Sequence, residues 1–257
     1  MTRRTRRYKP NSVLPVVWLS LSAVCSASAA DANVDEPVRP AVSVQMEFFT
    51  RYVWRGLAWS EGPVLQPSVT VGSGPFEATG WANFGLDRRD GTSLNEADLF
   101  LSYQTNAGNL GVETSLQFFA YPNQADSPAT GEAVVSLHYP VGPFTTYVSH
   151  AADFVHYRGA HYTEIGLCYS YEMDTRTSLD VSVGVSVGSR KFNDVYVGVG
   201  KAAWNAATLQ MALEHELLPG WNLCTSLSLT ELLDSDLRAS GADRRLAVIG
   251  FSMCTSF

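Results

Sequence analysis

Apolar and polar residues alternate with a period of two along most of the chain beyond residue 40. The clearest case is "SLDVSVGVSVG", where Leu179, Val181, Val183, Val185 and Val187 fall on one face. Ser178, Asp180, Ser182, Gly184 and Ser186 fall on the other. Such alternation belongs to a strand with one apolar and one polar face. Read this way, the chain predicts twelve strands at 41–54, 63–72, 76–87, 94–105, 108–120, 131–140, 143–155, 160–172, 175–188, 205–217, 220–231 and 244–257. Strand boundaries read from pattern are good to a few residues, which spans ten to fourteen strands.

The connections alternate between tight and long. "SGP" (73–75), "AG" (107–108), "VGP" (141–143), "MDT" (173–175) and "LPG" (218–220) are turns rich in Gly, Pro and Asp. Between them lie longer polar segments such as "RGLAWSEGPV", "PNQADSPATG" and "SRKFNDVYVGVGKAAW". Short turns at one end and long loops at the other describe an all-β, up-and-down transmembrane barrel of the bacterial outer membrane. The competing fold, a soluble β protein, would bury the apolar faces in a core. Aromatic residues at strand ends on the apolar face (Tyr52, Trp54, Tyr169, Tyr171 and Trp204) favour the barrel, where they would meet lipid headgroups.

The ends agree with export. Residues 1–30 comprise a basic stretch, the apolar "SVLPVVWLSLSAVC" and the small residues "SASAA", the anatomy of a cleaved signal peptide. Its apolar run is too short for a membrane helix. "SAVC" lacks the Leu that a lipoprotein carries three residues before its Cys, and the paired arginines lack the rest of a twin-arginine motif. Residues 31–40 would form a short periplasmic segment and 41–257 the barrel. "RRLAVIGFSMCTSF" alternates up to Phe257, which resembles the terminal assembly signal of outer-membrane barrels. The expected partners are therefore outer-membrane lipid, lipopolysaccharide and the barrel assembly machinery.

Charge then narrows the function. The chain has 18 basic and 25 acidic residues; without Arg3, Arg4, Arg6, Arg7 and Lys9 it has 13 against 25, a net of −12. That sign argues against nucleic acid as a partner. By parity Glu47, Arg51 and Arg55 face inward from the first strand, as do Glu77, Asn83 and Asp87 from the third. The same count turns Glu96, Asp98, Glu113, Gln117, Glu132, His138, Glu164, Asp180, Gln210, Glu214 and Glu216 inward. Acids far outnumber Arg51, Arg55 and Arg244 on this surface. A negative lumen within a low-dielectric wall favours small polar or cationic solutes over anions. Glu47, Arg51 and Arg55 are expected to form a charge ladder near a constriction. The alternative is a closed structural or adhesion barrel, its interior filled by pairing side chains and its work done by the loops.

Other constellations are weaker. His150, His156 and His161 with Asp153 cluster around one long-loop hairpin, but their spacing matches no metal-ligand pattern. Ser149 beside His150 hints at hydrolase chemistry, yet adjacent strand residues face opposite ways. No enzymatic activity and no cofactor are expected. Cys168, Cys224 and Cys254 share the inward face; an oxidising compartment permits a Cys224–Cys254 disulfide, and three free thiols are the alternative.

"FFTRYVWRGLAWSEGPVLQPSVTV", "GPFEATGWANFGLD" and "NEADLFLSYQTNAGNLGVETSLQFF" together resemble the TorF-like proteobacterial outer-membrane porins. The likeness is carried by Tyr52, Arg55, Gly56, Ser60, Pro67, Trp81 and Asn83 and is best over residues 44 to 120. Trp54 stands where that family often has Phe. The resemblance implies a porin-like barrel and does not name a solute.

Overall fold

A computed structural model describes residues 40–87 and 94–257. The expected signal peptide, nearly all of the expected periplasmic segment, and the part of one long loop that contains residues 88–93 lie outside the described residues.

Twelve strands close a barrel: β1 (Ala41–Phe49), β4 (Val64–Ser73), β5 (Phe76–Gly85), β6 (Leu94–Ala107), β7 (Leu110–Ala120), β8 (Thr130–Val141), β9 (Phe144–Asp153), β10 (His161–Glu172), β11 (Thr177–Gly188), β12 (Ala203–Leu218), β13 (Trp221–Leu232) and β14 (Arg245–Ser256). Two short strands, β2 (Val53–Trp54) and β3 (Leu57–Ala58), form a separate hairpin. Each wall strand pairs antiparallel with its neighbour along the chain, and β1 closes the cylinder against β14 from Ser43↔Ser256 to Phe49↔Gly250. Phe257 extends that seam, exchanging backbone bonds with Val42 at 2.8 and 3.3 Å. The closed wall leaves no edge strand with unpaired amides, the condition for a sheet to cross hydrocarbon.

Period two sorts the side chains. Val69, Leu101, Leu116, Ile165, Val183, Leu213 and Phe251 stand exposed on the outer face, with apolar neighbours above and below them. A soluble sandwich would bury these residues; here they make an apolar belt. An eleven-residue strand at about 3.3 Å per residue, tilted by roughly 40°, rises close to the ~25 Å of such a belt. At the short-turn rim the belt ends in aromatic pairs, Phe76–Tyr103 at 5.1 Å and Phe144–Tyr169 at 5.7 Å between ring centroids.

The first strand departs from expectation. Its alternation runs on to Trp54, but β1 ends at Phe49 and the chain leaves the wall. Thr50 caps the exit: its amide donates to Ile249 O (3.0 Å) and its hydroxyl accepts from the Ile249 amide (3.1 Å). The remaining alternation belongs to β2, which turns back into β3 through Val53↔Ala58 and Trp54↔Leu57. Arg55 (φ 51°) and Gly56 (φ 81°) are the turn's two central residues. Two successive left-handed residues give the hairpin turn whose twist matches its strands, and Gly at the second position carries no Cβ penalty. Two short helices lie in the long loops: α1 (Arg190–Val197), capped by the Ser189 side chain on the Phe192 amide, and α2 (Ser235–Ala239).

Candidate functional site: the lumen and its inserted hairpin

The β2–β3 hairpin folds into the long-loop half of the barrel and reaches several of its walls. Tyr52, 5% exposed, packs on Trp81 of β5 with ring centroids 5.9 Å apart. Its amide donates to Ser60 Oγ (2.8 Å), and Ser60 donates to Gly62 O (2.8 Å), tying both ends of the excursion together. Trp54 lies 6.3 Å from Phe119 of β7, 6.0 Å from Phe192 and 5.2 Å from Tyr196 of α1. At the tip, a Cβ on Gly56 would come within 2.9 Å of the Ala206 Cβ of β12, so only glycine allows this approach.

Arg55 locks the hairpin. Its guanidinium grips Glu132 of β8 with both nitrogens, Nη1–Oε1 2.8 Å and Nη2–Oε2 2.5 Å. It also lies over the rings of Trp54 (4.3 Å), Tyr162 (4.8 Å) and Phe192 (5.5 Å). Tyr162 of β10 donates to the Arg55 carbonyl at 3.3 Å. Burial disfavours the charge, but Glu132 outweighs it and holds the guanidinium above its ordinary pKa. The fork geometry and aromatic faces suit Arg and not Lys.

The expected ladder of Glu47, Arg51 and Arg55 is therefore not formed. Glu47 stays buried on the β1 wall. Arg51 sits at the rim, bound to Asp243 (2.7 Å) and Glu61 (3.4 Å). Arg55 stands in the lumen. The three share a parity, but the chain leaves the wall between the first and second. For the same reason Tyr52 and Trp54, expected outside at the lipid interface, are inside. Trp204 and Tyr171 do stand exposed on the outer face. Phe76, Tyr139 and Trp221, exposed at the short-turn rim, complete the aromatic set; their signal in the sequence is position beside Gly-containing turns.

The acidic lining follows parity. Glu77, Glu113, Asp180 and Glu214 turn inward in the short-turn half, and Glu96 and Asp98 turn inward from β6 behind the hairpin. Asn83 belongs to a buried amide chain, accepting from Gln66 (2.8 Å) and donating to Asn95 (2.5 Å). Hydroxyl groups satisfy some of these carboxylates without cancelling their charge: Tyr147 donates to Glu164 (2.6 Å) and Ser170 to Asp180 (2.5 Å). Among the described strand residues the only Lys or Arg is Arg245. It and Arg244 bind Glu231 at 3.3 and 3.0 Å. Arg244, expected in the lumen, is exposed at the rim.

Inward glycines keep part of the lining flat. Gly166 of β10 pairs with Gly184 of β11, and a Cβ on either would lie 2.5 Å from the Tyr147 hydroxyl. Tyr147 thus lies against the wall over the two glycines. Phe49 does the same over Gly250, where a Cβ would overlap its ring. Gly on the polar face of neighbouring strands is the sequence signal for this arrangement.

The remaining constellations dissolve. Cys224 is a free thiol, so the expected Cys224–Cys254 disulfide is not formed. The register explains why: Cys224 stands opposite Ser252 and Cys254 opposite Asn222, two residues out of step. Cys168 is also free. His150 and His161 stack at 5.4 Å on the outer face, and no group of three or more metal-binding side chains occurs among the described residues. Ser149 pairs with Ser136 (2.9 Å) while His150 turns away to Thr163 (2.8 Å), so the two never meet.

The fold and the lining together define a porin-like class: a closed twelve-stranded antiparallel barrel with an apolar exterior and an acidic interior. No known family model matches the chain, and no curated protein matches it. Solved outer-membrane barrels do. The KdgM porin superposes with a TM-score of 0.55 at 9% identity, covering 84% of this chain and 99% of that one. The NanC porin gives 0.53 at 10% identity, covering 84% and 98%. An outer membrane channel from Pseudomonas putida gives 0.53 at 12% identity, covering 86% and 97%. At these identities the likeness establishes the barrel architecture.

Proposed function

We propose that this chain is exported by a signal peptide at 1–30, inserts residues 41–257 into the outer membrane, and acts there as a narrow passive channel for small polar or cationic solutes. The residues Tyr52, Arg55, Gly56 and Ser60, which belong to the inserted hairpin and its ends in this chain, are consistent with the resemblance to TorF-like porins. The carrying observation is the lining: inward carboxylates on many strands, and no inward Lys or Arg on any described strand. Within a low-dielectric wall those charges focus a negative potential that attracts cations and repels anions. The hairpin narrows the long-loop mouth, so the constriction lies there and the short-turn half serves as an acidic vestibule. No step needs a cofactor.

The same hairpin favours a second reading, a closed barrel that works through its loops. Single-channel recording in planar bilayers under a KCl gradient separates the two. The channel reading expects a reversal potential of cation-selective sign that shrinks in the double variant Glu113→Gln, Glu214→Gln. Absence of conductance by the folded protein, or a preference for anions, would overturn it.

A further inference from the structure

The long-loop mouth carries an aromatic surface beside the hairpin lock. Trp59, one residue past β3, is 44% exposed. Tyr157 of the β9–β10 loop and Tyr196 of α1 are half-buried next to it. Trp59 and Tyr196 meet with ring centroids 6.1 Å apart and planes at 79°. Tyr157 and Tyr196 meet at 5.6 Å and 67°. Trp54 backs this surface, 6.0 Å from Trp59 and 5.2 Å from Tyr196. Rings that meet edge to face leave corners between them, each bounded by two π faces. Tyr196 belongs to both corners.

Asp153 sets the sign of the charge behind these rings. Its carboxylate accepts from the Thr130 hydroxyl and from the Val155 and Tyr157 amides, the last two at 3.0 and 2.8 Å. Those donors satisfy its oxygens and leave its charge in place. No Lys or Arg among the described residues forms an ion pair with it. Asp153 acts electrostatically on both Tyr157 and Tyr196. Glu132 and Arg55 also act on Tyr196, and they compensate one another, so Asp153 leaves the balance negative. A π face with negative charge behind it attracts a cation whose own surface is apolar. A primary ammonium on such a face would leave N–H groups unpaired, which is costly; a quaternary one has none.

We propose that the long-loop mouth captures quaternary ammonium solutes, seated in the corners that Tyr196 makes with Trp59 and Tyr157 and drawn by the charge of Asp153 behind them. The proposal rests on the reading of the barrel as a channel for small cations and names a class of cation that it takes up. The methyl groups of such a solute lie on the ring faces, and Asp153 acts through its field without touching them. The chain already holds one cation on rings at this mouth, since the Arg55 guanidinium lies over Trp54, Tyr162 and Phe192.

The test is saturation-transfer NMR on the N-methyl protons of choline, with the barrel in lipid nanodiscs and empty discs subtracted. The control is its uncharged carbon isostere, with a tert-butyl group in place of trimethylammonium. Saturable binding of choline is expected, with the isostere clearly weaker, and raised ionic strength should weaken choline alone. Each exposed ring contact corresponds to about a two- to fivefold change in affinity. Trp59→Leu should cost about that much, and Tyr196→Leu, which removes a face from both corners, roughly tenfold. Tyr196→Phe keeps the ring face and should keep the affinity. Asp153→Asn retains an acceptor oxygen for the two loop amides and should weaken choline while leaving the isostere unchanged. Heat-modifiable electrophoretic mobility confirms that each variant is folded. Failure of choline to bind, equal binding of the isostere, or undiminished binding to folded Tyr196→Leu overturns the proposal. A loss in Tyr196→Phe as large as in Tyr196→Leu also overturns it, because the hydroxyl and not the ring face would then carry the contact. Binding is read without current, so a barrel that binds choline but does not conduct refutes the channel reading alone. A cation-selective channel that fails to bind choline refutes this proposal alone.

Discussion

Replacing Arg55 with Ala isolates the interaction that holds the hairpin across the lumen. In the folded protein its side chain is 12% exposed and that of Glu132 is 1% exposed. Removing one partner of such a pair leaves a buried carboxylate uncompensated, at a cost on the order of 3–5 kcal/mol. The attraction of the guanidinium to three aromatic rings disappears as well and adds to that cost. Part of it is relieved if the hairpin swings out and lets water reach Glu132. A tenfold change in population corresponds to about 1.4 kcal/mol, so the displaced form should rise roughly 10²–10³-fold. The barrel itself should survive, because the wall hydrogen bonds do not involve Arg55. Single-channel recordings should then show brief openings to a larger conductance that the unmodified protein rarely visits. A double substitution, Arg55→Met with Glu132→Leu, removes both charges and restores apolar packing on the rings, so it should return the trace to the steady level. Conductance and noise in Arg55→Ala indistinguishable from the parent protein, with a folded barrel, would refute the claim that this pair holds the hairpin.

Two further substitutions test the wall. Gly184→Val places a side chain where the Tyr147 hydroxyl lies, so Tyr147 should be pushed into the lumen; conductance should fall, with a stability loss of about 1–3 kcal/mol from overpacking, and Tyr147→Ala should recover the conductance. Val183→Arg puts a charge at the middle of β11 on the outer face and should cost about 2–4 kcal/mol in folding into lipid vesicles, measured by denaturant titration; no loss would mean that Val183 does not face hydrocarbon.

Strand count, hairpin order and the identity of each face are legible in the sequence because alternation is a local property. Each strand of the wall carries its own period-two record, and parity alone turns Glu77, Glu113, Asp180 and Glu214 inward. The same rule separates Ser149 from His150. It fails at residues 50–54, where a strand of the wall and a strand of an inserted hairpin carry the same alternation. Arg55-Gly56 is the available turn signal, but its meaning depends on whether the chain has already left the wall.

Local pattern is thus enough for a twelve-stranded barrel with an apolar outside and an acidic inside. Closure of the cylinder decides the rest. It brings Glu132, 77 residues away, to face Arg55, and sets the rings of Trp54, Tyr162 and Phe192 around the guanidinium. It puts Tyr52 against Trp81 instead of lipid, and sets Cys224 and Cys254 out of step across their ladder. It also lays Tyr147 over paired glycines. These pairings join residues distant along the chain, through register and closure, and no local periodicity encodes which distant strand a side chain will meet.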